Sequence, residues 1–250
     1  MTTPVNNPNP QQPDLEFVYW RHPTLPGIKV EEVSGANDRS PALWPEMARQ
    51  IYCENGKEAY REIGHFRNGV PFLFGEQGRI SITHCRNFLA VATLPPTPEV
   101  ELAEYSRRAA LGIDAEPADR AQVLKIRERF LSDDELQMIP SDDVEQNVLA
   151  WTMKEAAYKA AMTEGVDFRR DIRIVRMPKF GPPTPVYDRS EFDIEKSGAG
   201  FTDAGYGEVS VAIKGKESSE SYKIFSYRSE HVIVTLAYSP KCAKFGKASD

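Results

Sequence analysis

The stretch WTMKEAAYKAAMTEGVDFRRDIRIVR, residues 151–176, changes character in its middle. Its first part carries helix formers (Lys154, Glu155, Ala156) and neither Gly nor Pro until Gly165. Beyond that glycine, DIRIVR alternates apolar and charged residues, the period of a strand. Helical patterns also lie upstream, from about Asp119 to Phe130, around Ser132 to Met138, and from about Val144 to Thr163. Downstream come EVSVAIKG, YKIFSYR and HVIVTLAYS, all of strand type. A block of helices followed by a block of antiparallel-type strands defines an α+β fold class rather than an alternating α/β one.

The earlier residues repeat the mixture. LEFVYW (15–20) is a candidate first strand, and residues 41–60 read mainly as helix with a break at Gly56. GRISITHCRNFLAVATLPP (78–96) reads as two strands about a tight turn, ended by Pro95 and Pro96. The Pro-rich LPPTPEV is the expected linker, and ALGIDAEP after it is a short strand stopped by Pro117. The division expected is a disordered lead-in over 1–14, an α+β half over 15–104, a second α+β half over 105–240, and a tail over 241–250. No sequence repeat relates the halves.

Composition narrows the class. The 250 residues are 27% charged and 40% hydrophobic, ordinary for a soluble globular protein long enough to bury a large core. No run of about 18 apolar residues occurs, so no membrane-spanning helix is expected. The Pro/Asn/Gln-rich start lacks the basic-then-apolar order of a secretory signal. Three cysteines (Cys53, Cys85, Cys242) in no metal-type spacing point to a reduced, cytoplasmic setting. A net charge of −6 speaks against a nucleic-acid partner.

Four motifs bear on chemistry. In WTMKEAAYK, Trp151, Lys154, Glu155, Tyr158 and Lys159 fall within about 140° on one side of a helix, opposite Met153, Ala156, Ala157 and Ala160. A solvated Glu155–Lys159 pair accounts for part of that stripe. In GIDAE, Asp114 and Glu116 leave the same face of a strand, where two carboxylates repel unless a cation intervenes. Mg²⁺ suits such a pair, since it takes one or two carboxylates and completes its shell with water and phosphate; a solvated strand edge gives the same spacing. Gly112 beside them admits a ligand or a neighbouring backbone. RFLSDDE places Ser132 and Glu135 as a capping box, with a metal role for Glu135 possible but not required. In ISITHC, Thr83 and His84 are suited to donate to a phosphate.

The order GIDAE, RFLSDDE, WTMKEAAYK resembles the signature of the 4′-phosphopantetheinyl transferases, G-[IV]-D-x-E, F-[LF]-[ST]-x-x-E and W-[ST]-x-K-E-[AS]-x-x-K. NGVPFL (68–73) and ISITHC look like its two upstream elements, and the length is similar to that of the larger, single-chain type. The resemblance implies two similar α+β halves, a pseudo-dimer with the active site between them, and no need of a dimer. It implies transfer of 4′-phosphopantetheine from coenzyme A to a serine of an acyl or peptidyl carrier protein. Asp114, Glu116 and Glu155 would hold Mg²⁺, Glu155 and Lys159 would be catalytic, and Thr83, His84, Lys154 and Lys159 would bind coenzyme A. Val70 stands where the family has a lysine, with Arg67 as a substitute, and Arg49, Lys57 and Arg61 are the only candidates for a 3′-phosphate. The basic segment 168–180 is a candidate docking edge for an acidic carrier. A non-catalytic relative that binds coenzyme A or a carrier, and another Mg²⁺-dependent phosphate-ester hydrolase, stay open beside this reading.

Overall fold

The computed structural model describes residues 16–22, 25–34, 63–66, 69–73, 79–86, 88–94, 110–162, 165–181, 201–212, 219–229 and 231–239. The expected lead-in, the helix expected at 41–60, the expected linker after Leu94, the expected tail, and Arg49, Lys57, Arg61 and Arg67 lie outside these residues.

Two antiparallel sheets carry the fold. The first has the order β1 (Glu16–His22), β2 (Leu25–Ser34), β6 (Phe88–Leu94), β5 (Arg79–Cys85), and β3 (Ile63–His65) pairs with β4 (Pro71–Leu73) as a separate hairpin whose β4 lies beside β5. The second has the order β7 (Leu111–Pro117), β11 (Val232–Tyr238), β10 (Glu220–Ser229), β9 (Phe201–Val211), β8 (Ile172–Arg176). Between β7 and β8 in sequence come α1 (Gln122–Phe130), α2 (Asp133–Met138) and α3 (Val144–Ala161). Helix and strand therefore mix as an α+β architecture.

The second sheet is covered on both faces, and strand alternation decides which residue meets which cover. Ile172, Val209, Ile224 and Ile233 face α3, where Val148, Met153, Ala156 and Ala157 complete one core. Ile113, Ala115, Phe225 and Leu236 face the first sheet and pack on Val30, Phe88, Ala90 and Ala92. On β7 the odd residues thus look to the first sheet and the even ones, Gly112, Asp114 and Glu116, to α3.

The contact between α3 and β7 is unusually close. A Cβ on Gly112 would lie 2.1 Å from the Ala156 carbonyl oxygen and 2.6 Å from the Ala160 nitrogen. The expected backbone approach at Gly112 is therefore made by a helix, whose small face (Ala156, Ala160) fits the absent side chain. Gly112→Ala is expected to cost about 1–3 kcal/mol by overpacking, read as a lower urea midpoint. It should also part β7 from α3 at the place where their polar residues meet.

Most elements lie where periodicity places them. β2, β3 and β4 are additions that Pro26, Gly27, Gly64 and Pro71 conceal from a pattern reading. β9 begins at Phe201, well before the EVSVAIKG stretch, through a segment that Gly205 and Gly207 make look like a turn. Those glycines are strand residues crossed closely by another segment: a Cβ on either would stand 2.6 Å from the carbonyl oxygen of Lys179 or Arg176.

Candidate functional site

β7 and α3 face each other with their polar residues between them. The Lys159 Nζ donates to Asp114 Oδ1 at 2.8 Å and to the Ile113 carbonyl at 3.0 Å. The Trp151 indole N–H donates to Glu116 Oε1 at 3.3 Å, and the Arg120 guanidinium pairs with the same oxygen. Trp151 is held for this task by Phe168, stacked at 5.6 Å, and by Phe130, edge-on at 5.0 Å. Glu155, one helical turn before Lys159, completes the group of carboxylates.

The three carboxylates disturb one another. Burial raises Asp114 above the ordinary carboxylate range against the pull of Lys159. Burial and then the Asp114 charge raise Glu116. Glu155 goes up to about 7, first by burial and then by the charges of Asp114 and Glu116, with Lys159 and Arg120 opposing. The folded state thus holds the Glu155 proton more tightly than the unfolded chain does. Its contribution to stability is full below about pH 4.5 and is lost as pH rises through 7. In EDTA, the melting temperature is expected to fall across that window for the native chain and to fall less for Glu155→Gln.

An all-oxygen donor set with excess negative charge is what a hard divalent cation requires. Asp114 Oδ2 adds a direct sign: it is buried and has no hydrogen-bond partner. Among the described residues no three His, Cys, Asp or Glu side chains converge closely enough to hold a metal ion. Lys159 instead pairs with Asp114, and Arg120 with Glu116. The donor chemistry of the three carboxylates suits such a cation.

Lys154 departs from its expected place. It is fully buried, away from the ligand-facing stripe, and its Nζ is 2.6 Å from Glu135 Oε2. The same ammonium donates to the carbonyls of Phe130 (2.7 Å), Phe168 (2.9 Å) and Ile172 (2.7 Å). Four acceptors for three protons leave it nothing for a phosphate. On the helical wheel Lys154 stands at the margin of the stripe, and here the margin falls inside the core. Glu135 is likewise committed. It closes the expected capping box with Ser132, and its other oxygen accepts from the Ile174 N–H at 2.7 Å.

The Thr83 hydroxyl lies 3.3 Å from Asp114 Oδ1 and accepts from the Ala115 N–H at 3.0 Å. Its single proton is thus directed at Asp114 rather than at a phosphate. His84 is exposed. It borders a cavity of about 320 Å³ lined by Val70 and Arg79 on one side and by Tyr158, Lys159 and Met162 on the other. It also borders an open depression with Glu116 and Arg120. Val70, at the position where a lysine is expected, does line the cavity. On the proposed docking segment, Arg169 pairs with Asp133 and Arg170 with Asp171.

Sequence reasoning missed two contributors, Arg120 and Ser81. The i,i+4 spacing of Glu116 and Arg120 signals a pair only in a helix, and Glu116 sits on a strand. Ser81 carried no signal beyond strand alternation.

The arrangement defines a class of site: one buried and two half-buried carboxylates and a lysine shared by a strand and a helix, beside a basic cavity. Residues 110–205 match the family model of the 4′-phosphopantetheinyl transferase superfamily. The match runs from β7 into β9 and contains Asp114, Glu116, Glu135, Lys154, Glu155 and Lys159, whereas Thr83 and His84 lie outside it. No curated protein matches the chain. No helix among the described residues is long and apolar enough to cross a membrane.

Proposed function

We propose that this protein transfers 4′-phosphopantetheine from coenzyme A to a serine hydroxyl of an acyl or peptidyl carrier protein, in a Mg²⁺-dependent reaction within the cytoplasm. The observation that carries the reading is the meeting of Asp114, Glu116, Glu155 and Lys159 between β7 and α3, within the segment that matches the superfamily. Asp114, Glu116 and Glu155 would hold the metal ion. Bound there, Mg²⁺ supplies positive charge against the pyrophosphate and the developing negative charge on the leaving group.

The chain's own residues do the rest. Glu155, beside the other two carboxylates on the helix that faces β7, would accept the serine proton. The serine oxygen attacks the β-phosphorus, its bond to the α–β bridging oxygen breaks, and 3′,5′-ADP leaves with that electron pair. The Lys159 ammonium, which lines the cavity, would meet a phosphate oxygen as a point charge. His84 and Arg79 give the adjoining cavity a basic lining suited to the phosphates of coenzyme A. Trp151 and Arg120 orient Glu116.

The direct test is intact-protein mass spectrometry of an apo carrier protein incubated with this chain, coenzyme A and Mg²⁺, with an EDTA control. A gain of one phosphopantetheine that EDTA abolishes is the expected result. A folded protein that binds coenzyme A yet modifies no carrier of the fatty-acid, polyketide or peptide-synthetase type would overturn transfer. Val70 in the cavity wall is the observation that favours such a binding-only relative. Release of phosphopantetheine without any carrier would instead establish the hydrolase.

A further inference from the structure

β7 and β5 are both edge strands, and they lie side by side without forming a ladder. An edge strand exposes alternate N–H groups that need partners once buried. On β7 these are the amides of Ile113 and Ala115. Each is taken by a hydroxyl of β5: Ser81 Oγ accepts from Ile113 N–H at 2.9 Å, and Thr83 Oγ1 accepts from Ala115 N–H at 3.0 Å. Both hydroxyl residues are only 4% exposed. Two residues apart on a strand, they leave the same face and match the two-residue spacing of the amides.

We propose that Ser81 and Thr83 are positioning residues, a hydroxyl seam that joins the two sheets and through Thr83 fixes the carboxylate of Asp114. The Thr83 hydroxyl has one proton and two lone pairs. Accepting from Ala115 directs that proton to Asp114 Oδ1, 3.3 Å away. Oδ1 also receives Lys159, so the remaining oxygen, Oδ2, is left buried and unpartnered on this carboxylate. Thr83 and Lys159 together engage one oxygen of Asp114 and leave the other presented. Ser81 also lines the cavity, so whatever fills that cavity presses on the seam that orients Asp114. Holding the amides through side chains rather than through a ladder ties the sheets at two points. A small shift between them then reaches Asp114 directly.

The role in cation binding rests on the function proposed above, and the seam itself does not, so the test separates them. Thr83→Val keeps the branched shape and removes the hydroxyl, while Thr83→Ser keeps the hydroxyl. Amide exchange by NMR reads the seam without any metal: in Thr83→Val the Ala115 amide should lose protection by about tenfold or more, with Ile113 held by Ser81, and Thr83→Ser should leave both as they are. Titration with Mn²⁺, followed by the loss of its free-ion EPR signal, reads the carboxylates. Affinity is expected to drop by about tenfold in Thr83→Val and to stay within twofold in Thr83→Ser, as one lost charge-assisted hydrogen bond implies. Unchanged Ala115 exchange in Thr83→Val would overturn the seam. Changed exchange with unchanged Mn²⁺ affinity would overturn the positioning of Asp114. A native chain that takes up no Mn²⁺ would defeat the metal reading and the positioning role together, leaving the seam to stand on the exchange data.

Discussion

Replacing Lys154 with methionine is expected to cost about 3–5 kcal/mol of folding stability, the largest single effect on this fold. The substitution nearly conserves volume, so packing is not the issue. It strands the Glu135 carboxylate in the core with its cation gone, and it leaves the carbonyls of Phe130, Phe168 and Ile172 short of a donor. Those acceptors belong to the last turn of α1, the turn before β8, and β8 itself, so one ammonium fastens three segments to α3. Burial pulls the Lys154 pKa down to about 8 although Glu135 holds it up, so desolvation outweighs the pairing. The pair is therefore better understood as fixing geometry than as adding stability. Urea denaturation measures the loss. A cost below about 1 kcal/mol, the size of an exposed pair, would show that Lys154 is not committed as described.

Glu155→Gln is expected to abolish transfer while the fold persists, the largest effect on activity. The amide keeps the shape of the side chain but surrenders the charge needed beside Mg²⁺ and the basicity needed for the serine proton. Removing one of three mutually repelling carboxylates relieves Asp114 and Glu116, so the melting temperature of the metal-free variant at pH 8 should equal or exceed that of the native chain. Activity retained within tenfold in the carrier-loading assay would take Glu155 out of the mechanism. A large fall in melting temperature would make it structural instead.

The contrast between these neighbours marks what a sequence discloses. Lys154 and Glu155 are adjacent on one helix and were placed on one stripe, because a wheel assigns direction and not depth. A lysine at the stripe's margin has a long apolar stem and can reach inward when a buried carboxylate awaits it, and that carboxylate lies 19 positions earlier. Local features were legible: the capping box at Ser132 and Glu135, the strand at Asp114 and Glu116, the close approach at Gly112. The hairpin of β5 and β6 was legible too, since its turn and alternation lie within a few residues of each other. What stayed hidden depends on pairing across the chain. Thr83 was read as a phosphate donor because nothing local says that an amide and a carboxylate of β7 lie beside it. The Trp151 indole N–H on Glu116 belongs to the same hidden class.

The pairing of β7 with β11 matters beyond the finished structure. Leu111 is matched with Tyr238, and Asp114 with Thr235, so the strand that presents the first two carboxylates is seated by almost the last described residues of the chain. During synthesis the residues from Asp114 to Lys159 leave the ribosome long before β11 exists, and β7 has no neighbour in its sheet until then. Contacts so distant in sequence form late and slowly. A chain cut between Lys159 and Val232 would possess the carboxylates and lysine of the proposed site but lack the strand that seats β7. Such a chain should therefore lack the proposed transfer activity.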